Sequence, residues 1–207
     1  MCYNNSEKVG EVMHEELLKV VNNNNNYLTI AKGMQVGATK EQVIAFIREH
    51  KPEKVAHGLY LFSNAWPDEL FILQQRNTKI IFSHETALYL HGLTERESIS
   101  PVVTVRKGYN AKHLRTQGVI VHTVRPELYD MGITRVKTYT GCEVVCYDKE
   151  RCVCDIIKNR NKMDIQVFQY AIKGYFHLQN KNLHKLMEYA IFMKVENEVR
   201  RYTEVLL

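Results

Sequence analysis

The chain has 207 residues, 45% apolar and 25% charged, with a formal net charge of +5, an ordinary globular composition with room for one or two domains. No run of about 18 apolar residues occurs, so no membrane-spanning helix is expected, and the opening MCYNNSEKVGEVMHEE is polar and acidic, unlike a secretory signal. The five cysteines are odd in number and irregular in spacing, so they read as reduced thiols of a cytoplasmic protein.

Val9, Val12, Met13, Leu17, Val20 and Val21 recur at helical spacing and mark a first helix. The asparagine run Asn22–Asn26 should end it, because Asn is a poor helix former that tolerates turns. Thr29 is placed to cap a second, short helix containing Ala31 and Met34. Gly37 then offers a turn, and Thr39 caps a third helix with Val43, Ile44 and Ile47 facing inward. Two helices joined by a short turn containing glycine have helix-turn-helix spacing. Residues 55–62 follow as a tight hairpin turning at His57-Gly58. The pattern predicts a winged helix-turn-helix over residues 1–64, and the same pattern also fits a helical packing module with no role on DNA. A domain boundary is expected at Ser63-Asn64-Ala65-Trp66-Pro67.

Residues 67–207 read as a mixed α/β domain with a helical C-terminal tail, giving an α+β chain overall. Lys79–Phe82, Val102–Arg106, Val119–Val124, Val136–Tyr139 and Glu143–Tyr147 are the expected strands. Ser83 should cap a helix that Gly92 ends, and another should begin at Asp148. Three further helices are marked by Ile165–Tyr175, Leu183–Met193 and Val199–Leu206.

Charge is unevenly spread. Residues 1–66 hold seven basic and seven acidic residues and are neutral, whereas residues 99–126 hold Arg106, Lys107, Lys112, Arg115 and Arg125 with no acidic residue. That stripe suits phosphate contacts on flanking DNA, the acidic face of a protein partner, or simple solvation.

Several segments carry a resemblance to a known family. Phe82-Ser83-His84-Glu85-Thr86-Ala87-Leu88-Tyr89-Leu90-His91-Gly92-Leu93 resembles the signature helix of AbiEi-family antitoxins. Thr104–Asn110, Val121–Pro126 and His57-Gly58-Leu59-Tyr60 are similar to further segments of that family. Tyr147–Asp155 resembles its D-x-E-R-T-x-C-D stretch, with Cys152 where threonine is usual. Departures are Lys51-Pro52-Glu53-Lys54 in place of a Gly-Leu lead into the wing, and Glu41 and Glu49 on the third helix.

The resemblance implies a cytoplasmic, non-enzymatic repressor that binds operator DNA with inverted repeats and autoregulates its operon. It also implies an antitoxin that opposes a nucleotidyltransferase-like toxin without a stable complex, a type IV phage-defence arrangement.

A recognition helix presents its first turn to base edges while neighbouring groups hold phosphates. Thr39, Lys40 and Gln42 are the expected groove-facing residues, Gln42 suiting adenine and Lys40 guanine. Thr29 opens the motif, and Lys51, Lys54 and His57 suit phosphate or minor-groove contact. A solvated helix face is the competing reading.

The enzyme alternative, a metal-dependent nuclease in residues 67–207, rests on Asp148, Glu150, Asp155 and Lys158. Helix punctuation accounts for the same residues, with Asp148 as a cap, Glu150 at a positive helix end and Arg151 paired to Asp155. Cys142, Cys146, Cys152 and Cys154 lack any common zinc spacing and read as buried thiols, and His84 and His91 read as packing histidines. No cofactor or metal is expected.

Overall fold

Helix α1 (Tyr3–Asn23) ends inside the asparagine run, where Asn25 and Asn26 take left-handed backbone angles, φ 51 and 63. The Asn24 side-chain amide donates to the Tyr27 carbonyl at 2.7 Å and secures the exit. The computed structural model describes residues 3–62 and 65–207, with side chains from residue 12 onward. Val9, Ser63 and Asn64 of the expectations above therefore lie outside the described side chains or residues.

The chain divides into two compact units: residues 1–76 together with Tyr139–Cys142, and residues 77–138 with 143–207. The division thus falls after Arg76, beyond the turn-prone segment 63–67.

In the first unit, strand β1 (Tyr27–Thr29) leads directly into helix α2 (Ile30–Gln35), whose N-terminus Thr29 caps by accepting from the Lys32 amide at 3.1 Å. Gly37, at φ 91, makes the turn that glycine adopts without steric cost, and helix α3 (Lys40–His50) follows. A reciprocal capping box opens α3. The Thr39 hydroxyl accepts from the Gln42 amide at 3.3 Å, and Gln42 Oε1 accepts from the Thr39 amide at 2.8 Å. Strands β2 (Glu53–Ala56) and β3 (Leu59–Leu61) form the hairpin, turning at His57-Gly58 with Gly58 at φ 68.

Strand β1, which the sequence pattern did not suggest, pairs antiparallel with β3 to give a three-stranded sheet in the order β1-β3-β2. Leu17, Val21, Leu28, Ala38, Val43, Phe46 and Phe62 form the core of this unit. Gly33 is where α2 and α3 meet closely, since a Cβ there would lie 2.7 Å from Val43 Cγ2.

Helix α4 (Glu69–Arg76) completes the unit, and the sequence pattern did not suggest it either. The buried Asp68 opens it by accepting from the Phe71 amide at 2.9 Å, while the Asp68 amide donates to the Tyr27 hydroxyl at 2.7 Å. Tyr27 and Phe71 pack with ring centroids 4.7 Å apart.

The second unit is built on a mixed five-stranded sheet of strands β4 (Ile81–Phe82), β5 (Val102–Arg106), β6 (Ile120–Val124), β7 (Ile133–Lys137) and β8 (Glu143–Tyr147), in the order β6-β5-β4-β8-β7. β4 pairs antiparallel with β5 and parallel with β8; β5–β6 is parallel and β7–β8 antiparallel. The expected strand at Val136–Tyr139 is displaced toward the N-terminus, because Tyr139–Cys142 belongs with the first unit.

Helix α5 (His84–Leu90) follows β4, α6 (Lys112–Thr116) joins β5 to β6, and α7 (Pro126–Tyr129) is a single turn. Helix α8 (Lys149–Lys158) is buried along nearly its whole length and packs against α5 and against α10 (Leu183–Met193). Helices α9 (Ile165–His177) and α11 (Glu196–Leu206) complete a helical C-terminus. The fold class is α+β. No helix among the described residues is long and apolar enough to cross a membrane.

Candidate nucleic-acid interface

The polar face of α3 follows from its burial pattern. Val43 and Phe46 are buried, Ile44 and Ile47 half-buried, and Lys40, Glu41, Ala45, Arg48 and Glu49 exposed. Helical spacing aligns Lys40, Ile44 and Arg48 in one row at i, i+4 and i+8. Arg48 was not among the sequence candidates. Its signal was the same spacing from Lys40 that marks a shared helix face. Glu41 also faces outward, and a carboxylate there opposes a phosphate backbone.

Thr39 and Lys40 are exposed at the N-terminus of α3, as a groove-reading turn requires. Gln42 differs from the sequence expectation. Its Oε1 is engaged by the Thr39 amide, and its side chain lines a groove between α1 and α3 with Met13, His14, Leu17, Ala45, Phe46 and Glu49. Bidentate pairing with adenine needs that oxygen free, so the capping box and base reading compete for the same atom.

Lys51 terminates α3 in a left-handed conformation, φ 47 and ψ 48, with its amide donating to Ile47 O. Lys54 lies in β2 opposite Tyr60 of β3. Both lysines and His57 are exposed, and among the described residues none of Lys40, Arg48, Lys51 and Lys54 takes part in an ion pair. Thr29 and His57 come together: both line a cavity of about 490 Å³ with Ala56, Leu59, Gln75 and Arg76. Arg76, another cation missed in the sequence, reaches this basin from α4 and donates to the Val55 carbonyl.

In the second unit the parallel register sets Arg106 beside Val124, which brings Arg106, Lys107 and Arg125 to the same ends of β5 and β6. Lys112 and Arg115 lie at i, i+3 on α6, around the buried Leu114. All five cations are exposed, and among the described residues none forms an ion pair.

The carboxylates of the enzyme alternative are committed elsewhere. Asp148 caps α8 by accepting from the Arg151 amide at 2.8 Å and meets Lys185 Nζ at 2.7 Å. Glu150 accepts from the Tyr175 hydroxyl at 3.1 Å and the Asn182 amide at 3.2 Å. Asp155 accepts from Arg151 Nε at 3.1 Å, with Arg151 fully buried; burial pushes the Asp155 carboxyl up while Arg151 opposes the rise. Lys158 donates to the Met193 carbonyl at 3.3 Å.

Cys142, Cys146, Cys152 and Cys154 are buried free thiols. Cys142 belongs with the first unit and the other three with the second. Burial raises each thiol, with Cys146 and Cys154 pushed up to about 12. His91 Nε2 bonds to the Tyr147 carbonyl at 2.7 Å.

Ser83 occupies the N-cap position of α5 but caps nothing with its hydroxyl, which instead accepts from the Thr104 hydroxyl at 2.9 Å. His84 holds a left-handed φ of 49, a conformation that costs a non-glycine residue about 1–3 kcal/mol. An imidazole protonated at Nδ1 satisfies both of its contacts, donating to Ser83 Oγ and accepting from Asn159 Nδ2, each at 3.0 Å.

No protein-family profile and no curated protein sequence matches the chain. Among solved structures, the crystal structure of the RV2827C protein from Mycobacterium tuberculosis is similar at a TM-score of 0.43 and 11% identity, over 87% of this chain and 75% of that one.

Proposed function

We propose that the chain is a DNA-binding transcriptional repressor of the AbiEi antitoxin type. In this reading residues 1–64 form a winged helix-turn-helix, α3 lies in the major groove of operator DNA, and the turn at His57-Gly58 reaches the flanking backbone. The observation that supports it most is the row of exposed cations on one short stretch of chain. Lys40 and Arg48 lie along α3, Lys51 ends it and Lys54 lies in the hairpin strand β2, with no carboxylate holding any of them among the described residues.

Lys40, in the first turn, suits a guanine edge; Arg48, Lys51 and Lys54 suit phosphates. The chain would bind an operator with inverted repeats in its own promoter and oppose a nucleotidyltransferase-like toxin. The second unit supplies the free positive stripe, which serves flanking phosphate or an acidic partner surface.

A gel-shift titration of the full chain with DNA from upstream of its own gene, against a scrambled duplex at equal salt, tests the repressor reading. Preferential binding of the upstream sequence is expected, since specific sites are typically about 10³-fold or more tighter than non-specific DNA. Equal affinity for both duplexes contradicts it. An adjacent reading frame for a nucleotidyltransferase-like protein, whose growth arrest the chain relieves on co-expression, is expected of the antitoxin part.

A further inference from the structure

His14 of α1 and Glu49 and His50 of α3 converge at one edge of the first unit. Each offers a ligand atom, and these atoms lie within 4.8 Å of one another. His14 Nδ1 is 3.7 Å from Glu49 Oε2. Both rings are oriented by the buried Phe46: His14 meets it edge-on at 5.0 Å between centroids, and His50 lies over it at 4.3 Å.

His50 Nδ1 also lies 3.0 Å from the Phe46 carbonyl. A carbonyl only accepts, so Nδ1 carries the proton and Nε2 keeps its lone pair. Donation of one ring N–H to a backbone carbonyl is the usual support of a metal-ligating histidine, because it fixes both tautomer and ring plane.

We propose that His14, Glu49 and His50 bind a divalent first-row transition-metal ion such as zinc, two imidazoles and one carboxylate supplying three ligands with water completing the shell. Imidazole suits ions of this class, whereas magnesium and calcium take oxygen donors. Ligand bonds of about 2.1 Å at near-tetrahedral angles set ligand atoms about 3.4 Å apart. The 4.8 Å spread therefore has to close by up to about 1.4 Å. Glu49, with 65% of its side chain exposed, is free to supply that movement. The ion would clamp the middle of α1 to the C-terminal end of α3. Metal capture here is independent of whether the chain binds DNA.

The spacing of the residues hides the site. Glu49 and His50 are adjacent in sequence, and the third ligand comes from another helix 35 positions earlier. No compact ligand motif results.

The test is titration of the metal-stripped full chain with zinc by calorimetry and with cobalt by absorption. One equivalent should bind, and the cobalt spectrum should lack the thiolate-to-metal charge-transfer band of a cysteine site. Glu49→Gln and His50→Gln should each weaken binding by about tenfold or more, and the zinc-induced rise in Tm should vanish with them.

Glu49 is exposed, so Glu49→Gln leaves the fold intact, and its Tm in chelator should equal that of the parent. His184→Gln, which removes the exposed His184–Glu188 pair at 3.5 Å, is the control and should change nothing. No binding of zinc, a thiolate band, or unchanged affinity in Glu49→Gln would each overturn the proposal and leave His14 and Glu49 as a side-chain contact only.

Discussion

His84 and His122 stack face to face in the second unit, their ring centroids 3.8 Å apart and their planes 13° from parallel. Two imidazoles this close repel one another when both are cationic. Burial, and then Arg151, hold His84 down at about 3; burial, and then His84 itself, hold His122 at about 4.

A pH dependence follows. In the unfolded chain both rings take up a proton as pH falls through about 6.5, while in the folded chain they stay neutral to about 4. Stability is therefore full above about pH 6.5 and is lost as pH falls toward 4, by at most about 1.4 kcal/mol per unit for each ring. The loss is smaller for His122, which is only partly buried. Urea midpoints at about pH 7.5 and about pH 5 should show the decline, and His84→Asn, which tolerates the left-handed backbone, should flatten it. Equal slopes in the two proteins would remove the histidine stack as the cause.

Gly33 sets the approach of α2 to α3. The Gly33→Ala side chain would meet Val43 at 2.7 and 3.0 Å and Leu17 at 3.2 Å, all of them buried and packed. Overpacking of this kind costs about 1–3 kcal/mol, so the urea midpoint should fall. Val43→Ala in the same chain should restore part of the stability, whereas simple additivity of the two substitutions would contradict the close approach.

Arg151 is fully buried, with Asp155 as its countercharge and the Tyr147 ring 4.3 Å from its guanidinium carbon. Removing one member of a buried pair leaves an uncompensated charge, a loss of about 3–5 kcal/mol. Asp155→Asn should therefore destabilise strongly by denaturant unfolding. A change below about 0.5 kcal/mol would mean that the carbonyls of Leu128 and Met131, which also accept from Arg151, suffice.

The free cations at the ends of β5 and β6 give a separate expectation. If they touch flanking DNA, Arg106→Ala with Arg125→Ala should make the slope of log affinity against log salt shallower by about 1.8, roughly 0.9 for each phosphate no longer neutralised. An unchanged slope removes the stripe from the DNA contact.

The helices with strong local signals were legible in the sequence. Thr39 capped α3, the asparagine run ended α1, and Asp148 capped α8. Strand β1 was not legible because three residues are too short to show a period of two. Helix α4 buries Leu70, Phe71, Ile72 and Gln74, so it lacks the one-sided pattern that marks a surface helix.

Juxtapositions of distant positions were also hidden. The His84–His122 stack and the His14–Glu49–His50 cluster depend on which strands and helices become neighbours, and local spacing does not carry that. Of the interface candidates, Gln42 shows the limit most clearly: the features that made it attractive, a polar residue in the first turn, are those of a capping residue.

DNA binding through α3 is tested most directly by the affinity of the full chain for its upstream duplex as a function of salt, before and after Lys40→Ala, Arg48→Ala and Lys54→Ala are combined. With two phosphate-facing cations and the guanine-facing Lys40 removed, the salt slope should fall by about 1.8 and the preference over scrambled DNA should disappear. A variant that keeps the parent's slope and preference would mean that α3 and its hairpin do not meet DNA.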